Sequence, residues 1–190
     1  GLLDGGAATV SGDSLADYAR EPLLSDNGLV WRDAPSTSLD TDILRPAGDP
    51  HAPNGGLRML DGNLGKAVIK ISAVAEERRL IEAPAAVFED EAAVKAAYAA
   101  GELDRDVVVV VRGQGPQATG MPELHSLTPM LSNLQDKGHA VALVTDGRMS
   151  GASGNVPAAI HVMPDAFAGG PPGQLADGDL IRPDAVAGTL

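Results

Sequence analysis

The sequence contains no cysteine among its 190 residues. Disulfide bonds, thiolate metal sites and a protein-held iron–sulfur cluster are therefore excluded within this chain. Aromatic residues make up only 3% of the sequence, so the hydrophobic core must consist mainly of Val, Ile, Leu and Ala. The lack of cysteine is compatible with a reducing compartment, although exported proteins can also lack it.

Basic residues and long apolar runs are also scarce. The chain has 14 Lys and Arg against 26 Asp and Glu, a formal net charge of −12. An acidic chain with few stacking rings argues against nucleic-acid binding. The apolar run Val107–Val111 is far shorter than the roughly 20 residues of a membrane-spanning helix. We therefore expect neither a nucleic acid nor a membrane as a partner, and no signal peptide, since no basic segment followed by an apolar stretch opens the chain.

The length favours one domain over residues 1–190. Its N-terminal part is rich in turn residues. The sequence predicts a short strand at Ala7–Val10 and a short helix that begins after Ser14 and ends near Arg20. Between Leu23 and Asn54, Pro, Asp and Ser recur without a period, which predicts a long surface loop.

The middle of the chain alternates strands and helices. Continuous apolar runs of this kind are typical of strands buried on both faces. Strands are predicted at Ala67–Val74, Ala85–Phe88, Asp106–Arg112 and His139–Thr145, and helices from Glu89 to about Ala100, from an N-cap at Thr128 to Lys137, and near Pro157–Ile160. The tail, Asp177–Leu190, reads as a turn and two short strands. The pattern predicts an α/β fold with β-rich flanks and a parallel or mixed sheet covered by helices.

The first candidate site is the glycine-rich turn Asp146–Asn155, which follows a buried strand. Ligands of α/β proteins bind beyond the carboxyl ends of strands, and a turn entering a helix offers N–H groups to an anion. Ser150 and Ser153 supply hydroxyl groups, and Arg148 supplies a cation. The alternative is a tight turn in which the serines cap a helix, and local physics alone favours it.

The second candidate is the loop Arg112–His125, which follows the valine strand. Its glycines allow a close approach of the backbone to a ligand. Glu123 and His125 are its acid–base or metal-binding side chains. The alternative is that Glu123 is a solvated carboxylate at the start of a helix and His125 a surface or half-buried histidine.

The third candidate is a basic group in an acidic chain. The group consists of Arg58, Lys66 and Lys70. These cations would attract an anionic substrate, or they would only keep a strand edge soluble.

Several motifs in these segments resemble the C-terminal domain of the dihydroxy-acid and phosphogluconate dehydratase family. The motifs occur in the family's order over nearly the whole chain. They are Gly55-Gly56-Leu57, Gly62-Asn63-Leu64-Gly65, Gly115-Pro116, Gly120-Met121-Pro122-Glu123-Leu124, Thr145–Val162 and Asp177-Gly178-Asp179-Leu180-Ile181. The resemblance implies a swivelling β/β/α domain, with a barrel-like mixed sheet flanked by helices.

The glycine-rich turn Asp146–Asn155, called the serine loop below, is most similar to that of family members acting on 6-phospho-D-gluconate. The resemblance then implies a hydro-lyase that forms 2-dehydro-3-deoxy-6-phosphogluconate in the Entner–Doudoroff pathway of gluconate utilisation. A related sugar-acid or dihydroxy-acid dehydratase and a stand-alone anion-binding module are the alternatives. The chain would be the C-terminal domain only, and inactive alone.

The resemblance also implies roles for individual residues. Ser150 would be the general base, and Ser153, Arg148 and Gly151 would bind the substrate. Glu123 would be a ligand of Mg²⁺ shared between domains. The iron–sulfur cluster would be held by an N-terminal domain outside this chain. The full-length protein is expected to be a cytoplasmic homodimer whose C-terminal domain packs with its own N-terminal domain around a small-molecule substrate.

Overall fold

The structure is a computed structural model that describes residues 3–12, 14–150 and 154–190. The chain divides into two compact units, Gly1–Pro53 and Asn54–Leu190. The prediction of a single domain over residues 1–190 stays a prediction.

The first unit is built around an antiparallel hairpin of β1 (Arg20–Ser25) and β2 (Gly28–Asp33). A two-residue turn joins the strands, and Gly28 takes a φ of 94° there. A 3₁₀ turn, Leu15–Tyr18, precedes the hairpin, and the Ser14 hydroxyl accepts the Ala16 N–H at its start. The predicted start after Ser14 is therefore confirmed, but the element is a 3₁₀ helix of four residues.

Two predictions for the first unit are wrong. The strand expected at Ala7–Val10 is only an isolated bridge between Thr9 and Gly12. The loop expected from Leu23 to Asn54 is wrong for its first part, which belongs to the hairpin up to Asp33, whereas residues 34–54 contain no helix or strand, as expected. The strands of the hairpin leave both faces partly or fully exposed, so the sequence carries no apolar alternation that would reveal them.

The second unit contains a curled, half-barrel sheet of seven strands. Their order is β3-β4-β8-β7-β6-β5-β9. The strands are β3 (Leu57–Gly62), β4 (Gly65–Lys70), β5 (Ala83–Phe88), β6 (Val107–Val111), β7 (Val141–Thr145), β8 (Ala158–Met163) and β9 (Leu180–Ile181). Strands β5, β6, β7 and β8 pair in parallel, and the other pairings are antiparallel. The mixed α/β class with a barrel-like sheet is confirmed.

The sheet has a hydrophobic core on each face. Val108 and Val110 of β6 belong to one core, whereas Val107, Val109 and Val111 belong to the other. Helices α1 (Glu91–Ala99) and α2 (Thr128–Asp136) contribute side chains to the second core. The valine strand is therefore buried on both faces, as predicted.

Three details of the second unit correct the sequence predictions. Leu127, not Thr128, is the N-cap of α2, and the Thr128 hydroxyl donates to Met149 Sδ. The helix expected near Pro157–Ile160 is strand β8, because this short apolar run reads equally as helix or strand. The tail has one two-residue strand, β9, instead of two strands, with isolated bridges beside it.

No helix in the described part of the chain is long and apolar enough to cross a membrane.

Candidate functional site

The buried carboxylate of Asp146 joins the loops at the carboxyl end of β7. Asp146 is 2% exposed. Its Oδ1 accepts the Gln114 N–H at 2.8 Å, and its Oδ2 accepts the N–H groups of Gly113 at 3.0 Å and Ala166 at 2.9 Å. A carboxylate that accepts several backbone N–H groups fixes the segments that donate them. Asp146 therefore holds the start of the loop after β6 against the start of the serine loop.

Two neighbours of Asp146 tighten this junction. The Thr145 hydroxyl donates to the carbonyl of Val111 at 2.6 Å and accepts the Gly147 N–H at 2.9 Å. A Cβ at Gly147 would lie 2.6 Å from the Cβ of Gln114. Glycine is therefore required where the two loops pass each other.

The loops bring together Glu123, Arg148 and Ser150. Glu123 and Arg148 form a parallel bridge, and the guanidinium Nη1 of Arg148 donates to Glu123 Oε2 at 2.9 Å. The other carboxylate oxygen, Oε1, accepts the backbone N–H of Ser150 at 2.6 Å and that of His125 at 3.1 Å. Arg148 Nε donates to the carbonyl of Met121 at 2.8 Å. Three of the predicted site residues therefore form one hydrogen-bonded cluster.

This cluster lies at the surface of the unit. The side chains of Glu123 and Arg148 are 32% and 50% exposed. An ion pair this exposed contributes only about 0–1 kcal/mol to stability. Its main effect is geometric, since it holds the Glu123 carboxylate beside the serine loop.

Ser150 also lines a cavity of about 250 Å³. Lys70, at the end of β4, and His161, in β8, line the same cavity. His161 has a φ of 56°, unusual for a residue with a side chain, and its N–H donates to the carbonyl of Gly147. Sequence reasoning assigned no role to His161, although a histidine within the apolar segment 158–162 was an available signal.

The predicted basic group is divided by the structure. Lys70 faces the cavity, whereas Arg58 donates to the carbonyl of Val186 at 2.9 Å and Lys66 lies 3.8 Å from the carboxylate of Asp61. Only one of the three predicted cations is thus beside Ser150.

The family model of the dihydroxy-acid/6-phosphogluconate dehydratase C-terminal domain matches residues 42–190. The chain belongs to this family. It is 59% identical to the phosphogluconate dehydratase of Pseudomonas aeruginosa and 54% identical to that of Zymomonas mobilis, each over 100% of this chain. It is 40% identical to the dihydroxy-acid dehydratase of Pyrococcus furiosus over 85% of this chain. The chain spans about a third of the length of these relatives, 32%, 31% and 32% respectively.

This membership confirms the resemblance of the motifs. Of the residues for which the resemblance implies a role, Glu123, Arg148 and Ser150 lie together as described. Gly151 and Ser153 lie outside the described residues. His125 enters the cluster through its backbone N–H.

The Glu123 carboxylate has one acceptor position left for a cation or a hydrogen-bond donor. A carboxylate offers about four acceptor positions, and the three hydrogen bonds described above occupy three of them. Mg²⁺ binds carboxylate oxygens and often takes only one or two of them from a protein. The described residues contain no group of three His, Cys, Asp or Glu placed to hold a metal. The remaining position of Glu123 is thus compatible with a single protein ligand of Mg²⁺.

The shifted pKa values belong to ion pairs elsewhere. Hydrogen bonds from Lys137 and His139 lower the pKa of Asp104. The hydrogen bond between Lys137 and Asp104 also raises the pKa of Lys137. Hydrogen bonds from Lys95 and Ser126 lower the pKa of Glu91. Asp104 precedes β6, and Lys137 and His139 precede β7. These residues therefore lie at the ends of the two strands opposite to the cluster of Glu123, Arg148 and Ser150.

Proposed function

We propose that the chain is the C-terminal part of a hydro-lyase that dehydrates 6-phospho-D-gluconate to 2-dehydro-3-deoxy-6-phosphogluconate in the Entner–Doudoroff pathway. The carrying observation is the cluster of Glu123, Arg148 and Ser150, which joins the two loops that bear the family's motifs. The names of the relatives that are 59% and 54% identical support the choice of substrate.

The reaction needs a base close to C2 of the sugar acid. The base removes the C2 proton, the C3–O bond breaks, and the hydroxyl group leaves as water after gaining a proton. The resulting enol then tautomerises to the 2-keto acid. A proton beside a carboxylate is only weakly acidic, so the base must be held in place and the developing charge must be stabilised.

The proposed base is the alkoxide of Ser150, which forms when its hydroxyl loses a proton to solvent and which nearby cations would stabilise. The backbone of Ser150 is fixed by the Glu123 carboxylate, which in turn is oriented by Arg148. Such positioning lowers the entropic cost of bringing the base to the C–H bond. Gly151 and Ser153 are proposed to bind the substrate carboxylate through the N–H groups and hydroxyl of the same loop.

The proposal includes two cofactors. Glu123 would contribute one ligand to Mg²⁺, and the iron–sulfur cluster would be held outside this chain, because the chain has no cysteine. Together they would supply Lewis-acid polarisation of the carboxylate and hydroxyl oxygens of the substrate.

The proposed partners are the protein's own N-terminal domain and, in the full-length enzyme, a second copy. The proposed compartment is the cytoplasm, because a phosphorylated sugar acid carries several charges and does not cross membranes freely.

The test compares three substrates with the full-length holoenzyme: 6-phosphogluconate, gluconate and a branched 2,3-dihydroxy acid. We expect the highest kcat/KM with 6-phosphogluconate, and no activity and no visible iron–sulfur absorption from residues 1–190 alone. A higher kcat/KM with gluconate or the branched acid would contradict the substrate assignment. If none of the three were dehydrated, the reaction class would be contradicted. The remaining alternative would then be a stand-alone anion-binding module.

A further inference from the structure

Lys70 ends strand β4 on the face opposite Ala67 and Ile69, which belong to the first core. Ala67 and Ile69 of this strand are buried, and they alternate with Lys66, Val68 and Lys70 on the other face. Such alternation follows from the two-residue period of a strand. In the register of the sheet, Lys70 lies opposite Leu57 of β3.

The cavity beside Lys70 combines a few polar groups with apolar walls. Ser150, Lys70 and His161 are the polar side chains among its described lining residues. The walls come mainly from Leu57, Val68, Met149, Val156, Ala158 and Ile160. Apolar walls keep the local dielectric low, so a charge inside attracts an opposite charge more strongly than it does in water.

The serine loop is tied to the segment that follows Lys70. A Cβ at Gly154 would lie 2.7 Å from the Cβ of Ala73, so the returning arm of the loop packs directly on this segment. The carbonyl of Gly56 also accepts the N–H of Ile71 at 2.7 Å. The segment that follows Lys70 thus contacts the loop that carries Ser150, and both residues line the cavity.

Two other cations of this region, Arg148 and Lys66, do not line this cavity. The guanidinium of Arg148 donates to Glu123 and to the carbonyl of Met121. Lys66 lies outside this cavity, 3.8 Å from Asp61. In a chain with a net charge of −12, an anion entering the cavity requires a local cation.

We propose that Lys70 binds an anionic oxygen of the substrate beside Ser150, and that this oxygen belongs to the carboxylate of a polyhydroxy acid. This inference rests on the proposed function. The base must reach C2, which is bonded to the carboxylate carbon, whereas the phosphate group lies at the far end of the sugar chain. When the C2 proton leaves, negative charge moves onto the carboxylate oxygens, and the Lys70 ammonium stabilises it there.

The experiment measures competitive inhibition of the full-length holoenzyme by two probes. Gluconate carries the carboxylate without a phosphate, and glucitol 6-phosphate carries the phosphate without a carboxylate. The variant is Lys70→Met, which keeps the length of the side chain and removes its charge. The matched control is Lys66→Met, on the same face of the same strand, and Lys70→Arg tests rescue by a second cation.

A lost charge-assisted hydrogen bond should weaken binding about 10- to 100-fold. We therefore expect Lys70→Met to raise the inhibition constant of gluconate by about that factor and to leave that of glucitol 6-phosphate unchanged. It should also lower kcat, because the contact strengthens in the transition state. Lys70→Arg should restore part of the gluconate affinity, and Lys66→Met should behave as the wild type.

Two results would overturn the proposal. Unchanged inhibition constants for both probes in Lys70→Met would remove Lys70 from the site. A rise for glucitol 6-phosphate alone would assign Lys70 to the phosphate. If Lys70→Met does not fold, Lys70→Gln gives the same comparison. Failure of the wild type to dehydrate 6-phosphogluconate would instead contradict the proposed function.

Discussion

The Glu123 carboxylate accepts the backbone N–H of Ser150 at 2.6 Å, although the two residues belong to loops that follow different strands. The loop bearing Glu123 follows β6 and the loop bearing Ser150 follows β7, and these strands pair in parallel. Parallel pairing places the carboxyl ends of both strands at the same edge of the sheet. The fold thus brings a potential metal ligand and a potential base together.

Replacing Glu123 with Gln in the full-length enzyme should raise the Mg²⁺ concentration needed for half-maximal activity. The amide keeps the shape of the side chain but has only one acceptor oxygen and no charge. It also loses the ion pair with Arg148, so kcat should fall as well. The measurement is the dependence of the dehydration rate on Mg²⁺ concentration.

The control for this variant is Glu89→Gln. Glu89 also pairs with an arginine, Arg112, at 2.7 Å, but it lies outside the Glu123 cluster. Its Mg²⁺ dependence should equal that of the wild type. An unchanged Mg²⁺ dependence in Glu123→Gln would remove Glu123 from the metal site.

Asp146→Asn should lower both stability and kcat. The amide replaces one acceptor oxygen by a donor group, so a buried N–H of Gly113, Gln114 or Ala166 loses its partner. Leaving such a group unsatisfied costs about 1–3 kcal/mol. The rate should fall as well because Asp146 joins the loops that carry Glu123 and Ser150. Urea unfolding and steady-state kinetics measure the two effects.

Asp184→Asn separates the two effects. Asp184 is another buried carboxylate, 3% exposed, and it accepts the N–H groups of Val186 at 2.9 Å and Ala187 at 2.8 Å. Because both N–H groups bond to Oδ1, the amide can keep them, but it loses the ion pair of Oδ2 with Arg182 at 3.2 Å. This variant should therefore lose stability and keep its kcat. Equal kcat losses in both variants would show that Asp146 acts only through general stability.

Val109→Asp should destabilise the second unit by about 3–5 kcal/mol, because an unpaired charge would replace a side chain that is 0% exposed. Val186→Asp makes the same replacement at a position that is 62% exposed and should change the free energy of unfolding by less than about 0.5 kcal/mol. Chemical denaturation measures both. Equal unfolding free energies for the two variants would contradict the central position of β6.

The sequence predicts those elements whose pattern depends on burial. The five valines of β6 and the apolar run of β7 are buried on both faces, and both strands were predicted close to their observed bounds. Strand β3 was missed because Leu57 and Met59 point outward and are more than half exposed, which leaves Leu60 as its buried residue. The first hairpin was missed for the same reason.

The candidate site shows the same division. Motifs identified Glu123, Arg148 and Ser150, but their contacts depend on the parallel pairing of β6 and β7, which no local pattern specifies. The position of His161 beside Ser150 depends on strand β8, which the sequence analysis predicted as a helix. The separation of Lys70 from Arg58 and Lys66 likewise depends on the alternation of β4 and on its partners.

The most direct test of the proposed chemistry is the exchange of the C2 hydrogen of 6-phosphogluconate in D₂O by the full-length Ser150→Ala enzyme, measured together with turnover. Ser38→Ala is the control, because Ser38 also lies outside helices and strands, and its hydroxyl donates to the carbonyl of Asp40 at 2.8 Å. If Ser150 is the base, its variant should fold normally and lose about 10²- to 10⁴-fold in both exchange and turnover, while Ser38→Ala keeps both. Exchange and turnover near the wild-type rates in Ser150→Ala would contradict the account.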